Sequence, residues 1–123
     1  MADSIPHIDL ETFDRVVARG PSSPAEPGIT VVDFTARWCP PCRVLDKVLT
    51  ALTVEYAGRV RFVAVDVNDE PVLAERLGVR AMPTLVVWRD GREVGRVVGS
   101  RPRAFVAGVL DRALAGDVAI AAP

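Results

Sequence analysis

Cysteine and histidine, which supply most zinc ligands, are scarce in this chain of 123 residues. It has only two cysteines and a single histidine, His7. A structural zinc site uses four protein ligands, and a catalytic one uses three plus water. Zinc binding is therefore disfavoured. Two cysteines are also too few for the several disulfides that hold a small secreted fold together, so the pair is expected to be redox-active, metal-binding or incidental.

Long apolar runs and an excess of one charge are also missing. No apolar segment approaches the roughly 20 residues of a membrane span, and the N-terminus lacks the features of a signal peptide. Fifteen Lys and Arg residues against 16 Asp and Glu leave a net charge of −1 without a basic stripe. Nucleic acid and membrane partners are therefore not expected, and a cytoplasmic location is predicted.

Hydrophobic periodicity predicts one domain of alternating strands and helices. Half of the residues are hydrophobic, which is enough for one core in residues 1–115, whereas residues 116–123 are expected to fray. Strands are predicted at about 5–8, 29–34 and 60–66, and in a hairpin turning at Asp90-Gly91. Helices are predicted at about 10–18, 40–56, the segment EPVLAERLGV and 102–114. In the last helix Phe105, Val109 and Leu110 should point inward. This order implies parallel strands joined by crossover helices, with an antiparallel hairpin at one edge.

Both cysteines lie in the stretch WCPPC, at the start of the second predicted helix. Cys39, just outside the helix, is placed where free N–H groups and the helix dipole favour a thiolate. Cys42, one turn inside, is close enough to form a disulfide and is better shielded. Pro40 and Pro41 forfeit little hydrogen bonding there and stiffen the turn. The pattern predicts that one sulfur attacks and the other resolves, with the Cys42 N–H directed back at the sulfur of Cys39.

Other interpretations of these residues remain. The cysteines could bind a metal or be structural, although no second cysteine pair exists and a proline-rich helix start is a poor match to a buried core. Asp33, inside the apolar strand ITVVDF, could be functional, solvated or hydrogen-bonded. Pro83 precedes a strand, where a trans peptide bond is the default. Trp38 and Met82 could simply pack in the core.

The segments VVDFTARWCPPCR, AMPTLVVWRDGREV and VVG, taken in order, closely resemble the thioredoxin family, over about residues 5–115. The resemblance implies an α/β thioredoxin fold with a mixed five-stranded sheet flanked by four helices. It also implies a thiol–disulfide oxidoreductase that reduces disulfides in other proteins, with Cys39 as the exposed nucleophile and Cys42 as the resolving thiol. No bound cofactor or metal is expected. An NADPH-dependent thioredoxin reductase would return the electrons, and the chain would be a monomer.

Further site residues follow from the same resemblance. Asp33 would be a buried acid that relays a proton to or from Cys42, and Pro83 would be a cis-proline facing the cysteines. Met82 would offer its backbone groups to substrate. The rim that receives an extended substrate segment would comprise Trp38, Pro40, Pro41, Met82, Thr84 and Gly99.

The chain departs from the family pattern at several positions. Pro40-Pro41 replaces the usual Gly-Pro, Thr35 replaces a common tryptophan, and Lys47 replaces a helix-kinking proline. Ala64 stands where a lysine often neighbours the buried acid. Without that lysine, desolvation should raise the pKa of Asp33. The alternatives to a general reductant are a reductant dedicated to one partner, a thiol oxidase, and a binding module or chaperone whose CxxC is idle.

Overall fold

A computed structural model of the chain describes residues 5–21, 23, 26–116 and 120–122. In this part of the chain a mixed β-sheet is flanked by four helical segments. Helix α1 begins as an α-helical turn, Leu10–Thr12, and continues as a π-helix, Phe13–Ala18. The other helices are α2 (Pro40–Glu55), α3 (Pro71–Arg76) and α4 (Arg103–Leu114). The strands are β1 (Ile29–Thr35), β2 (Val60–Asp66), β3 (Thr84–Arg89), β4 (Arg92–Val98) and β5 (Ile120–Ala122).

The strand order is β2-β1-β3-β4-β5, which places β1 inside the sheet. It pairs in parallel with β2 and antiparallel with β3, and all of its residues are buried. The predicted hairpin joins β3 to β4 through a two-residue turn. Asp90 and Gly91 both have positive φ, 51° and 85°, as a type I′ turn requires. The crossover between parallel strands, from β1 through α2 to β2, and the antiparallel hairpin are therefore confirmed, but β5 and not the hairpin forms that edge of the sheet.

One of the five predicted strands needs correction, because only four of them are present, as β1 to β4. Residues 5–8 are not a strand: His7 makes only an isolated bridge with Ala64 of β2. Pro6 accepts a hydrogen bond from Ala64 but has no N–H to extend the ladder.

The C-terminal residues also differ from the prediction of a frayed tail. The three residues of β5 pair in parallel with β4, whose outer edge offers free backbone groups. Residues 117–119 and 123, which belong to the same predicted tail, lie outside the described residues. The fifth strand of the sheet is therefore short and C-terminal, whereas the remaining predicted strand was at the N-terminus.

The core forms one apolar cluster on each face of the sheet. Helices α2 and α4 cover one face, where Leu45 and Leu110 are fully buried, and α1 and α3 cover the other with Phe13 and Leu73. Phe105, predicted to point inward, is 39% exposed. The buried face of α4 instead follows helical spacing through Val106, Val109, Leu110 and Ala113, one position out of phase with Phe105.

Candidate active site

The cysteine pair lies at the N-terminus of α2. Cys39 is the N-cap residue, with an extended backbone, and Pro40 and Pro41 follow in the first helical turn. The Cys42 backbone N–H donates a hydrogen bond to Cys39 Sγ at 3.2 Å, as the sequence predicts. The two cysteines form a disulfide, with Cα atoms 5.2 Å apart. Pro40 and Pro41 have no N–H, so the first N–H within the helix is that of Cys42, and it is directed at the sulfur of Cys39.

The two sulfurs differ in exposure. Cys42 is buried within the first turn, whereas Cys39 is only partly buried. Trp38, next to Cys39, is 92% exposed and is therefore not a core residue. Cys39 Sγ also lies 3.8 Å from the carbonyl oxygen of Met82. Of the two sulfurs, that of Cys39 is the one accessible to another molecule.

A loop before β3 lies directly against Cys39. The Met82-Pro83 peptide bond is cis, as the resemblance implies. The Pro83 carbonyl oxygen accepts a hydrogen bond from Gly99 N–H at 2.8 Å. Thr84 is buried, which corrects its predicted place on the substrate rim. Its hydroxyl donates to the Ala81 carbonyl oxygen at 2.6 Å, so its side chain faces inward and holds the loop.

Asp33 is the unusual acid of the sheet. It lies in β1 between Ala64 of β2 and Leu85 of β3, and it is 4% exposed. Its Oδ1 atom has no hydrogen-bond partner among the residues that the structure describes. Burial first, and the Asp46 carboxylate second, raise the pKa of Asp33 to about 7, and the Arg43 guanidinium opposes them. The rise predicted from burial without a neighbouring lysine is therefore confirmed.

A cavity of about 260 Å³ connects Asp33 with the first turns of α2. Two of the side chains that line it, Arg43 and Asp46, were not predicted. For Asp46 the sequence contains a signal, because Asp46 follows Cys42 by four residues and so lies on the same helix face. The Arg43 guanidinium donates to Thr35 Oγ1 at 2.9 Å and contacts Asp46 at 3.1 Å. Arg43 thus ties the start of α2 to the end of β1.

Within the described ranges, no three or more His, Cys, Asp or Glu side chains are grouped so that they could hold a metal ion. None of the helices in that part of the chain has the length and apolar character needed to cross a membrane.

Comparisons with known proteins agree with this geometry. The thioredoxin family model matches residues 4–112. A thioredoxin of Staphylococcus aureus is 40% identical over 92 residues, which cover 75% of this chain and 88% of the relative. Mitochondrial thioredoxin 3 from Saccharomyces cerevisiae, in its oxidized form, superposes with a TM-score of 0.76 at 34% identity, covering 89% of this chain and 97% of its own.

A second solved structure comes from work on thiol resolution in a yeast mitochondrial 1-Cys peroxiredoxin via glutathione/thioredoxin systems. It has the same TM-score, 0.76, at 33% identity, and covers 89% of this chain and 97% of its own. The family match covers well over half of the chain, and its Cys-x-x-Cys pair is the one at the start of α2. The chain therefore belongs to the thioredoxin family and is a thiol–disulfide oxidoreductase, a protein-disulfide reductase that works through Cys39 and Cys42.

Proposed function

We propose that Cys39 attacks and Cys42 resolves when this chain reduces a protein disulfide. The Cys39 thiolate displaces one sulfur of the target, which forms a mixed disulfide and releases the first target thiolate. The Cys42 thiolate then attacks Cys39 Sγ, which closes the intramolecular disulfide and releases the second. The observation that carries the assignment is the asymmetry of the two sulfurs, since one is accessible and the other is buried.

We assign to Asp33 the role of base for Cys42. Its carboxylate takes the proton of the Cys42 thiol during resolution and returns it when the disulfide is reduced again. Two observations support this role: its Oδ1 atom is buried without a hydrogen-bond partner in the described chain, and its pKa is about 7. A base works best when its pKa lies near the working pH. The bond between Arg43 and Thr35, which holds the first turn of α2 over the end of β1, also supports it.

We assign the target segment to the surface around Cys39. The exposed Trp38, Pro40 and Pro41 lie on one side, and the loop of Met82 and cis-Pro83 lies on the other. The Met82 carbonyl oxygen is only 3.8 Å from the sulfur, so backbone groups beside it are placed to pair with an extended peptide. We assign Thr84 and Gly99 to holding this loop, because the Thr84 hydroxyl donates to Ala81 within it and the Gly99 N–H, just after β4, donates to the Pro83 carbonyl oxygen.

Thioredoxins act on disulfide substrates and are reduced by thioredoxin reductase. For this chain we propose a flavoprotein reductase that draws on NADPH, with the chain acting as a monomer in the reducing cytoplasm. We assign it neither a nucleic acid nor a membrane partner, because its charges of both signs are dispersed and sum to −1.

Reduction of insulin coupled to NADPH oxidation, with a thioredoxin reductase supplied, tests the assignment. Cys39→Ser should abolish turnover, whereas Cys42→Ser should still attack and accumulate a mixed disulfide that mass spectrometry detects. Alkylation of the reduced protein near neutral pH should label Cys39 well before Cys42. Equal labelling would refute this assignment, and a stalled intermediate formed by Cys39→Ser instead would reverse the roles. No turnover by the parent would favour a dedicated partner or a binding module.

A further inference from the structure

Two charged side chains of α2 stand between Asp33 and solvent. The Asp46 side chain is 17% exposed, while that of Arg43 is 49% exposed and contacts it at 3.1 Å. Arg43 also bonds the Thr35 hydroxyl and the Ala36 carbonyl oxygen, at 2.9 and 3.3 Å. These bonds fix the guanidinium at the end of β1. Asp46 is thereby held where it lines the cavity and still reaches the surface.

Asp33 needs a way to exchange its proton. A carboxyl group between two paired strands does not meet bulk water, and its Oδ1 has no partner among the described residues. The cavity beside it, about 260 Å³, is polar enough and large enough for several water molecules. Chains of hydrogen-bonded water carry protons between acids that do not touch. A surface carboxylate at the far end of such a chain would complete the path.

We propose that Asp46, held by Arg43, is the surface end of a proton route between Asp33 and solvent through water in this cavity. The inference rests on the proposed role of Asp33 as the base for Cys42. As Cys42 resolves, Asp33 gains the thiol proton and passes one to a cavity water. That water gives a proton to the Asp46 carboxylate, which releases it to solvent. One proton leaves, and both carboxylates return to their ionised state. Asp46 acts on Cys42 only through Asp33 and is therefore a positioning residue.

The other groups that face the cavity suit this role less well. Arginine does not release its proton in proteins, and this excludes Arg37 and Arg43 as carriers. The Asp66 carboxylate accepts the Asn68 N–H at 2.8 Å and is buried, while that of Asp69 is turned to Arg37 at 3.3 Å. The charged and titratable groups that line the cavity with Asp33 are His7, Arg37, Arg43, Asp46, Asp66 and Asp69.

Electrostatics supports the choice of Asp46. Of the groups around the cavity, Asp46 and Arg43 are the two whose charges shift the pKa of Asp33, upward and downward respectively. An ionised Asp46 therefore makes Asp33 a stronger base, and it is also the acceptor that can take over the proton. His7, which approaches from the N-terminal segment, is the competing exit.

Stopped-flow mixing of the reduced full chain with 5,5′-dithiobis(2-nitrobenzoate) separates the two steps. The first thionitrobenzoate released reports attack by Cys39, and the second reports resolution by Cys42. In dilute buffer just below pH 7, where Asp33 starts protonated and must export its proton before Cys42 can resolve, Asp46→Asn should slow the second phase several-fold and leave the first unchanged. Imidazole added at constant pH and ionic strength should restore the second phase, because a small diffusible base can replace the carboxylate. Asp46→Glu should keep the parent rate. Asp69→Asn is the matched control and should change neither phase.

The other possible results would each contradict the proton route or the base role of Asp33. A second phase at the parent rate in Asp46→Asn, or a slow one that imidazole does not restore, would overturn the route. Slowing by His7→Gln but not by Asp46→Asn would move the exit to His7 and overturn it too. Asp33→Asn separates the base role of Asp33 from the proton route through Asp46. If Asp33→Asn slows resolution while Asp46→Asn does not, only the route fails. If Asp33→Asn resolves at the parent rate, the base role itself fails.

Discussion

The active site contains two groups that work as anions, and their surroundings are opposite. At the N-terminus of α2, Cys39 Sγ accepts the Cys42 N–H and lies at the positive end of the helix dipole. Across the site, Asp33 Oδ1 accepts nothing within the described residues and is buried among apolar strand residues. The fold therefore supplies donors to the thiolate and withholds them from the carboxylate.

This difference suits two successive proton states. A donated hydrogen bond favours the charged form of a group, whereas desolvation favours the neutral form. The Cys39 thiolate is thus stabilised for attack, while Asp33, with a pKa of about 7, is a base strong enough for the Cys42 thiol. Burial alone does not leave an aspartate unpartnered here. Asp66, on the neighbouring strand and in the same cavity, is also buried, yet it accepts the Asn68 N–H at 2.8 Å.

Removing the unpartnered charge should have the largest effect on stability. The folded protein retains the Asp33 proton between pH 3.8 and about 7, where the unfolded chain has released it. Stability therefore falls as pH rises through this window, by up to about 4 kcal/mol once pH exceeds the folded pKa. Asp33→Asn mimics the protonated acid, so it should be more stable than the parent by a similar amount at pH 8 and equally stable near pH 4. Urea unfolding at both pH values measures the difference.

The same substitution should slow resolution, so stability and activity are expected to move in opposite directions. Asp33→Asn unfolding at lower denaturant than the parent at pH 8 would mean that the carboxylate has partners in solution. A gain that is equal at pH 4 and pH 8 would also contradict the comparison, because the expected benefit comes from the charge and not from packing.

Asp66 offers the converse test, with an intermediate effect. Asp66→Ala removes the carboxylate that accepts the Asn68 N–H and contacts Arg37, and loss of a hydrogen bond to a charged group should lower the free energy of unfolding by about 2 kcal/mol. Asp66→Asn retains an acceptor oxygen and should lose less. Denaturant unfolding of both variants near pH 7 measures this. A stability gain for Asp66→Asn like that expected for Asp33→Asn would show that the two acids are equivalent.

Much of the fold follows from local signals in the sequence. Asp90-Gly91 predicts the hairpin because only residues that tolerate positive φ fit a two-residue turn. The buried run of β1 predicts a strand covered on both faces, and the position of the cysteines at a helix start predicts the bond from Cys42 N–H to Cys39 Sγ. The absence of a lysine at Ala64 predicts the raised pKa of Asp33. Each of these features depends on one segment and its immediate neighbours.

What was missed depends on contacts between segments. Residues 5–8 have strand character, but Pro6 has no N–H to donate. Their pairing with β2 is therefore limited to the single bridge at His7. Pairing of β5 with β4 depends on which sheet edge is left free, and composition does not encode this. Arg43 and Asp46 shift the pKa of Asp33 through their charges, and Arg43 is held near the end of β1 by its bond to Thr35. Helical spacing gives the face on which Asp46 lies, but not what that face meets.

Substitution of Pro40 tests the other anion of the comparison, the Cys39 thiolate that accepts a donated N–H. Its effect should be the smallest of those predicted. A rigid turn eases closure of the disulfide, which favours the oxidised form. The same rigidity holds the Cys42 N–H on the Cys39 sulfur, which favours the thiolate and so the reduced form. The second effect should dominate. The folded chain already holds the cysteines together, with Cα atoms 5.2 Å apart, so little closure entropy remains to be gained.

Pro40→Gly should therefore make the protein more reducing. A well-directed N–H stabilises a thiolate more than it stabilises a neutral disulfide sulfur, so loosening the turn raises the free energy of the reduced form. We expect a shift of about 20 mV, equivalent to about 1 kcal/mol for a two-electron couple. Equilibration of parent and variant against glutathione buffers measures it. Pro71→Gly, at the matching position of α3, controls for a loosened helix start. If Pro40→Gly is more oxidising than the parent, the proline acts through disulfide closure, and if the potential is unchanged, the donated N–H does not depend on it.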